Sequence, residues 1–141
     1  MLRSINSHAV RVLKSLVNGL NNIGDAKKID NSNGAYMPVC VEIINKVPAG
    51  KIVSVAHYGE QNGDAMRDPD VCFLEGHRNN KTAYFPISFR NDYLGINREA
   101  VVFNDLGEIS GWRPHEQRDN ALFCNTWMQN IEQQQGIKLA A

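Results

Sequence analysis

The chain has 141 residues, 43% of them hydrophobic, and its 15 basic side chains balance 15 acidic ones for a formal net charge of zero. That length suits a single domain, 1–141, able to bury roughly two-thirds of its unfolded surface without metals or disulfides. The charge balance gives no support to a general nucleic-acid binder, whose footprint is an excess of Lys and Arg.

Cys40, Cys72 and Cys124 are odd in number and widely spaced. This argues against a disulfide framework or structural zinc site and for buried thiols in a reducing cytoplasm. Arg11 and Lys14 interrupt what would be the apolar core of a signal peptide. The longest apolar runs fall well short of the ~20 residues that span a bilayer. The expectation is a cytoplasmic protein with no membrane association.

In chain order, SINSHAVRVLKSLVNGL places Ala9, Val12, Leu13, Leu16, Val17 and Leu20 at helical spacing, with Asn21, Asn22 and Gly24 as stop signals. The Gly-, Asp- and Asn-rich segment GDAKKIDNSNGAYMP then reads as a loop, closing a helix-and-loop region over 1–35. A β-region spans 36–112. PVCVEIINKV and KIVSVAHY are joined by Pro48-Ala49-Gly50, and DVCFLEG is a further short strand after a turn at HYGEQNGD. HRNNK turns the chain into TAYFPISFR, with Ala83, Phe85, Ile87 and Phe89 on one face. Pro86 cannot donate to a ladder, which marks this strand as an edge or a bulge. REAVVF, the turn NDLG and EISGW form a last hairpin. Pro114, a favoured first helical residue, opens a helix that ends at Gly136 within 113–136. The fold class expected is α+β: an N-terminal helix, an antiparallel sheet of five to six strands, and a C-terminal helix packed on the sheet.

The sequence lacks a GxxxxGK[ST] phosphate loop, a GxGxxG after a strand, HExxH and GxSxG. The chemistry-bearing residues instead crowd into HYGEQNGDAMRDPD, residues 57–70. Three accounts compete there. A hard cation such as magnesium is held by clustered carboxylates, which makes His57, Glu60, Asp64, Asp68 and Asp70 candidate ligands of a metal-dependent hydrolase or nuclease. The spacing does not match an EF-hand. Asp70 and Glu75, five apart, point to opposite faces of a regular strand, against a nuclease pattern.

The second account is an acidic surface. Glu60, Asp64, Asp68, Asp70 and Glu75 against Arg67 give residues 60–75 a local net charge of −4, which attracts cationic surfaces and speeds encounter with them. The third is structural: Asn62-Gly63 is a strong hairpin signal, Asp68-Pro69-Asp70 caps a turn, and His57 ends an apolar strand face. Separately, Tyr84, Phe85, Phe89 and Tyr93 interleave with Arg90, a pattern able to stack single-stranded bases or to fill a core.

IVSVAHYGEQNGDAMRDPDVCF, YFPISFRNDYLG and the closing TWMQNIEQQQG together resemble an uncharacterised family of small phage, plasmid and conjugative-element proteins with a core AHY-x-EQNGD-x-MRDP. The similarity spans about residues 36–136. Its motif positions here are His57, Tyr58, Glu60, Gln61, Asn62, Gly63, Asp64, Met66, Asp68 and Pro69. The resemblance carries no catalytic residue. It implies a mobile-element context, in which small stand-alone proteins act by binding. The expectation is a non-enzymatic, cofactor-free binding protein, in its sharper form a counter-defence inhibitor (anti-CRISPR or anti-restriction). Its acidic loop would meet the basic nucleic-acid-binding surface of a host defence nuclease complex.

Overall fold

The computed structural model describes residues 1–139. Six strands form one antiparallel meander in sequential order: β1 (Ala26–Ile29), β2 (Val39–Val47), β3 (Gly50–Gln61), β4 (Asp64–Arg78), β5 (Lys81–Asn91) and β6 (Ile96–Glu99). A separate two-stranded hairpin, β7 (Val101–Phe103) and β8 (Ile109–Trp112), follows. Helices α1 (Ser7–Val17) and α2 (Pro114–Gln134) flank the strands in sequence.

Each helix presents one apolar stripe to the sheet. Asn6 caps α1 by accepting the Ala9 amide at 2.9 Å, and Ala9, Val12, Leu13, Leu16 and Val17 are buried. Pro114 opens α2, whose buried stripe is Ala121, Cys124, Trp127, Met128 and Ile131. Both stripes share a core with Val39, Val41, Val53, Val55, Val71 and Phe73 of the sheet. Burial makes the Cys124 thiol harder to ionise. The alternate residues of the strands face the other way. There Ile52, Leu74, Phe85 and Ile87 form a smaller core with Val101, over which the β7–β8 hairpin lies. The rest of that second face, around β2 to β5, carries no helix.

The structure corrects four local expectations. The segment read as a loop contains β1, which pairs Ala26 with Glu42 and Ile29 with Val39. Four residues with two lysines give too short an alternation to read, and lysines suit an edge strand. The short strand DVCFLEG is the middle of 15-residue β4, so the acidic stretch is a paired strand and not a loop. REAVVF divides at buried Ala100, whose amide donates to the Ile87 carbonyl and whose carbonyl accepts the Arg113 amide. Its first half completes the main sheet as β6.

Finally, Ala83, Phe85, Ile87 and Phe89 do not share one face: the bulge expected at Pro86 is present in β5, an interior strand, where Phe73 pairs with Pro86 but Cys72 with Ser88, leaving Ile87 as the extra residue. The extra residue reverses the alternation. Ala83, Phe85 and Ile87 lie in the smaller core, whereas Phe89 packs against the main core under Phe123 of α2.

Candidate functional site

The β3–β4 hairpin carries the motif and distributes its residues over three environments. Asn62 and Gly63, with φ of 52° and 85°, form the two-residue turn that their sequence calls for. Around them residues 60–65 are all exposed. The carboxylates of Glu60 and Asp64 stand at this tip and enter no hydrogen bond or ion pair among the described residues. Gly59, one residue earlier, lets Tyr93 lie across the strand: a Cβ there would sit 2.3 Å from the Tyr93 hydroxyl, which donates to the Glu60 carbonyl. Gln61 is exposed, and half-buried Met66 pairs with Gly59.

Below the tip lies a second bulge, in which His57 of β3 faces two residues of β4, Asp68 and Pro69. His57 continues the face of Val53 and Val55. It is buried, its Nδ1 donates to the Pro38 carbonyl at 3.0 Å, and its ring meets Trp127 edge-on at 5.6 Å. Pro69 is buried, and Asp68 accepts the Asn91 side-chain amide at 3.0 Å.

The third environment is the helix-free sheet face. Asp70 accepts the Ser54 hydroxyl at 2.7 Å and has Arg67 Nε at 3.5 Å. Asp92 accepts the Arg67 backbone amide at 2.9 Å and the Arg90 Nε at 3.0 Å, with Arg67 Nη1 at 3.4 Å. Arg90 pairs across the ladder with Asp70, and Tyr58 with Arg67. The two carboxylates behave oppositely. Burial raises the Asp70 carboxyl above the usual value despite the Ser54 hydroxyl and both arginines. The Arg67 amide, then Arg90, hold Asp92 below it. Burial also pushes the neighbouring Cys72 thiol up to about 11 and raises the Tyr58 hydroxyl, so neither is an activated nucleophile.

This geometry corrects the picture of five carboxylates on one acidic surface. Asp70 sits in the arginine network and Asp68 is hydrogen-bonded to Asn91. Glu75, on the opposite face, accepts the buried Tyr84 hydroxyl at 3.0 Å, with Lys51 at 3.8 Å from its other oxygen. Of the five, Glu60 and Asp64 alone are both exposed and without a partner among the described residues; half-buried Asp68 has only the neutral Asn91 amide. The reason is the two-residue period of β4 interrupted by its bulge, which sends successive acids to different sides.

The candidate metal ligands are divided in the same way. His57 points into the helix-side core, Asp70 into the opposite face, and Asp64 into solvent; among the described residues no three His, Cys, Asp or Glu side chains converge on one point. The aromatic platform is likewise divided. Tyr84 and Phe85 are buried on opposite faces, Phe89 packs edge-on against Phe123, and Tyr93 alone is exposed.

The Arg67–Asp92–Arg90 network escaped the sequence reading because Asp92 is 25 residues from Arg67 and belongs to no motif. The one available signal was the polar alternation of Ser88 and Arg90 in β5, continued by Asp92 in the turn that follows and interleaved with apolar Ile87 and Phe89. No helix among the described residues is long and apolar enough to cross a membrane. No curated protein and no solved structure shows significant similarity to the chain. A family model described as a domain of unknown function, DUF6908, matches residues 9–137, and with nearly the whole chain covered the protein belongs to that family.

Proposed function

We propose that the protein is a non-enzymatic binding protein that uses the tip of its β3–β4 hairpin to dock on a basic surface of a protein partner. One observation carries this: Glu60 and Asp64 flank a fully exposed two-residue turn with no neutralising cation, while the remaining acids of the stretch are engaged internally. A hairpin held rigid by a bulge on one side and by Tyr93 on the other presents its charges at little cost in conformational entropy. The sharper form, that the partner is a nuclease complex of a host defence system, is supported by the resemblance of the motif to phage and plasmid proteins.

The test is a phage challenge of cells bearing a CRISPR or a restriction system and expressing the wild-type protein or Glu60→Lys/Asp64→Lys. Wild type should relieve restriction and the double variant should not, with the two proteins melting at the same temperature. Relief by the variant refutes the tip as the docking element, and lack of relief by wild type refutes the counter-defence form.

A further inference from the structure

At the end of β4 remote from the acidic tip, a groove of about 630 Å³ runs between α1 and the β4–β5 turn. Arg11 and Lys14 line it from the exposed side of α1, and Arg78 and Lys81 from the turn. Among the described residues no acidic side chain contributes to its lining. Arg78 is fixed in place, donating to the Leu2 carbonyl and lying 4.8 Å over the Phe85 ring. Between Arg78 and Lys81, Asn79 and Asn80 form a two-residue turn with φ of 54° and 61°, exposing two side-chain amides as neutral donors. The same Arg11 and Lys14 also border a second, adjoining concavity with Lys138. Five cations thus border these two adjoining concavities in a chain of zero net charge.

We propose that this groove binds the phosphate backbone of duplex nucleic acid. Clustered Lys and Arg in a concave surface focus a positive potential and release counterions when phosphates replace them, and Asn side chains are common phosphate donors. A duplex is the occupant and not a single strand, because single-strand grooves pair cations with aromatic stacking platforms. The residues lining this groove include no Phe, Tyr or Trp. The absence of any base-reading element makes the binding sequence-independent. It is separate from the hairpin tip and stands whether or not the tip docks on a protein.

The experiment is fluorescence anisotropy with a labelled mixed-sequence duplex between about 50 and 200 mM salt. Four neutralised phosphates give a log–log salt slope of about −3 to −4, at about −0.9 each. Lys14→Ala/Lys81→Ala should weaken binding roughly tenfold and flatten the slope by about 2. Lys14→Arg/Lys81→Arg should retain it, and so should the charge-matched Lys28→Ala/Lys46→Ala. Both pairs are exposed, so melting curves should coincide. The proposal is overturned if the duplex does not bind at the lowest salt, or if the two alanine pairs weaken it equally. It is also overturned if a single strand of the same sequence binds as tightly, or if polyglutamate competes as well as unlabelled duplex.

Discussion

Gly50 illustrates how one backbone atom sets a constraint that no motif announces. Its φ is 151° and a Cβ there would stand 1.8 Å from the Glu75 carbonyl oxygen of the next strand. Gly50→Ala must move β3 against β4, and backbone strain plus overpacking put the cost at about 3 kcal/mol, to be read from urea unfolding. Asp92 sets a different kind of constraint. Its carboxyl is held below 3.8, first by the Arg67 amide, so ionised Asp92 stabilises the fold above the unfolded value and that contribution fades as pH falls towards the folded one. Asp92→Asn should therefore lower the melting temperature at neutral pH, with the gap to wild type closing in acid. Asp70 has the opposite sign. Burial raises it, so the folded state holds its proton more tightly than the unfolded chain, and stability drains away as pH rises above 3.8. Asp70→Asn keeps a Ser54 partner without a buried charge, and should be milder at neutral pH than Asp92→Asn. Parallel pH–melting curves for the two variants would contradict this assignment.

The elements were legible wherever chemistry and period agreed. Asn62-Gly63 and Asn79-Asn80 sit in the turns their residues favour, and both helices present the stripes that a 3.6-residue period gives. What the sequence concealed was how the interruptions redirect side chains. The bulge that Pro86 signals sends Phe89 to the face opposite Phe85, and the unsignalled bulge opposite His57 separates Asp68 from Asp70; a strict two-residue alternation places both pairs on one face. Long-range polar ties were equally hidden. Gln117 of α2 is fully buried, accepting the Arg3 amide at 2.8 Å and donating to the Arg3 and Pro86 carbonyls at 2.7 and 3.2 Å. One side chain thereby joins the N-terminal segment, α2 and the β5 bulge. Gln117→Leu removes the partner of the Arg3 amide and of two carbonyls; Arg3 is exposed and can turn to water, whereas the Pro86 carbonyl loses a fully buried bond, at about 1–3 kcal/mol. A loss of about 1–3 kcal/mol is expected in chemical denaturation, together with faster amide exchange in residues 1–6.

At the scale of the molecule, zero net charge conceals polarity along the long axis of the sheet. The unneutralised acids Glu60 and Asp64 stand at one end of β4, and the basic groove of Lys14 and Lys81 at the other. A 15-residue strand separates them, which at ~3.3 Å per residue is roughly 40–50 Å. That is several Debye lengths at about 0.15 M salt, where the screening distance is ~8 Å. The two ends should consequently act as independent sites. Sites farther apart than about 10 Å, with no shared partner, couple by less than about 0.5 kcal/mol. Combining Glu60→Lys/Asp64→Lys with Lys14→Ala/Lys81→Ala should give a protein whose loss of duplex binding equals that of the groove variant alone. The sum of the separate effects should also describe its stability. Near about 10 mM salt, where screening extends to ~30 Å, the repulsive contribution of the tip to duplex encounter should begin to show. Reversing the tip acids would then raise the association rate without altering dissociation. Coupling that persists undiminished at high salt would mean instead that the two ends communicate through the sheet itself, by a shift in β4 pairing that moves the Asn79–Asn80 turn when the Asn62–Gly63 turn is loaded.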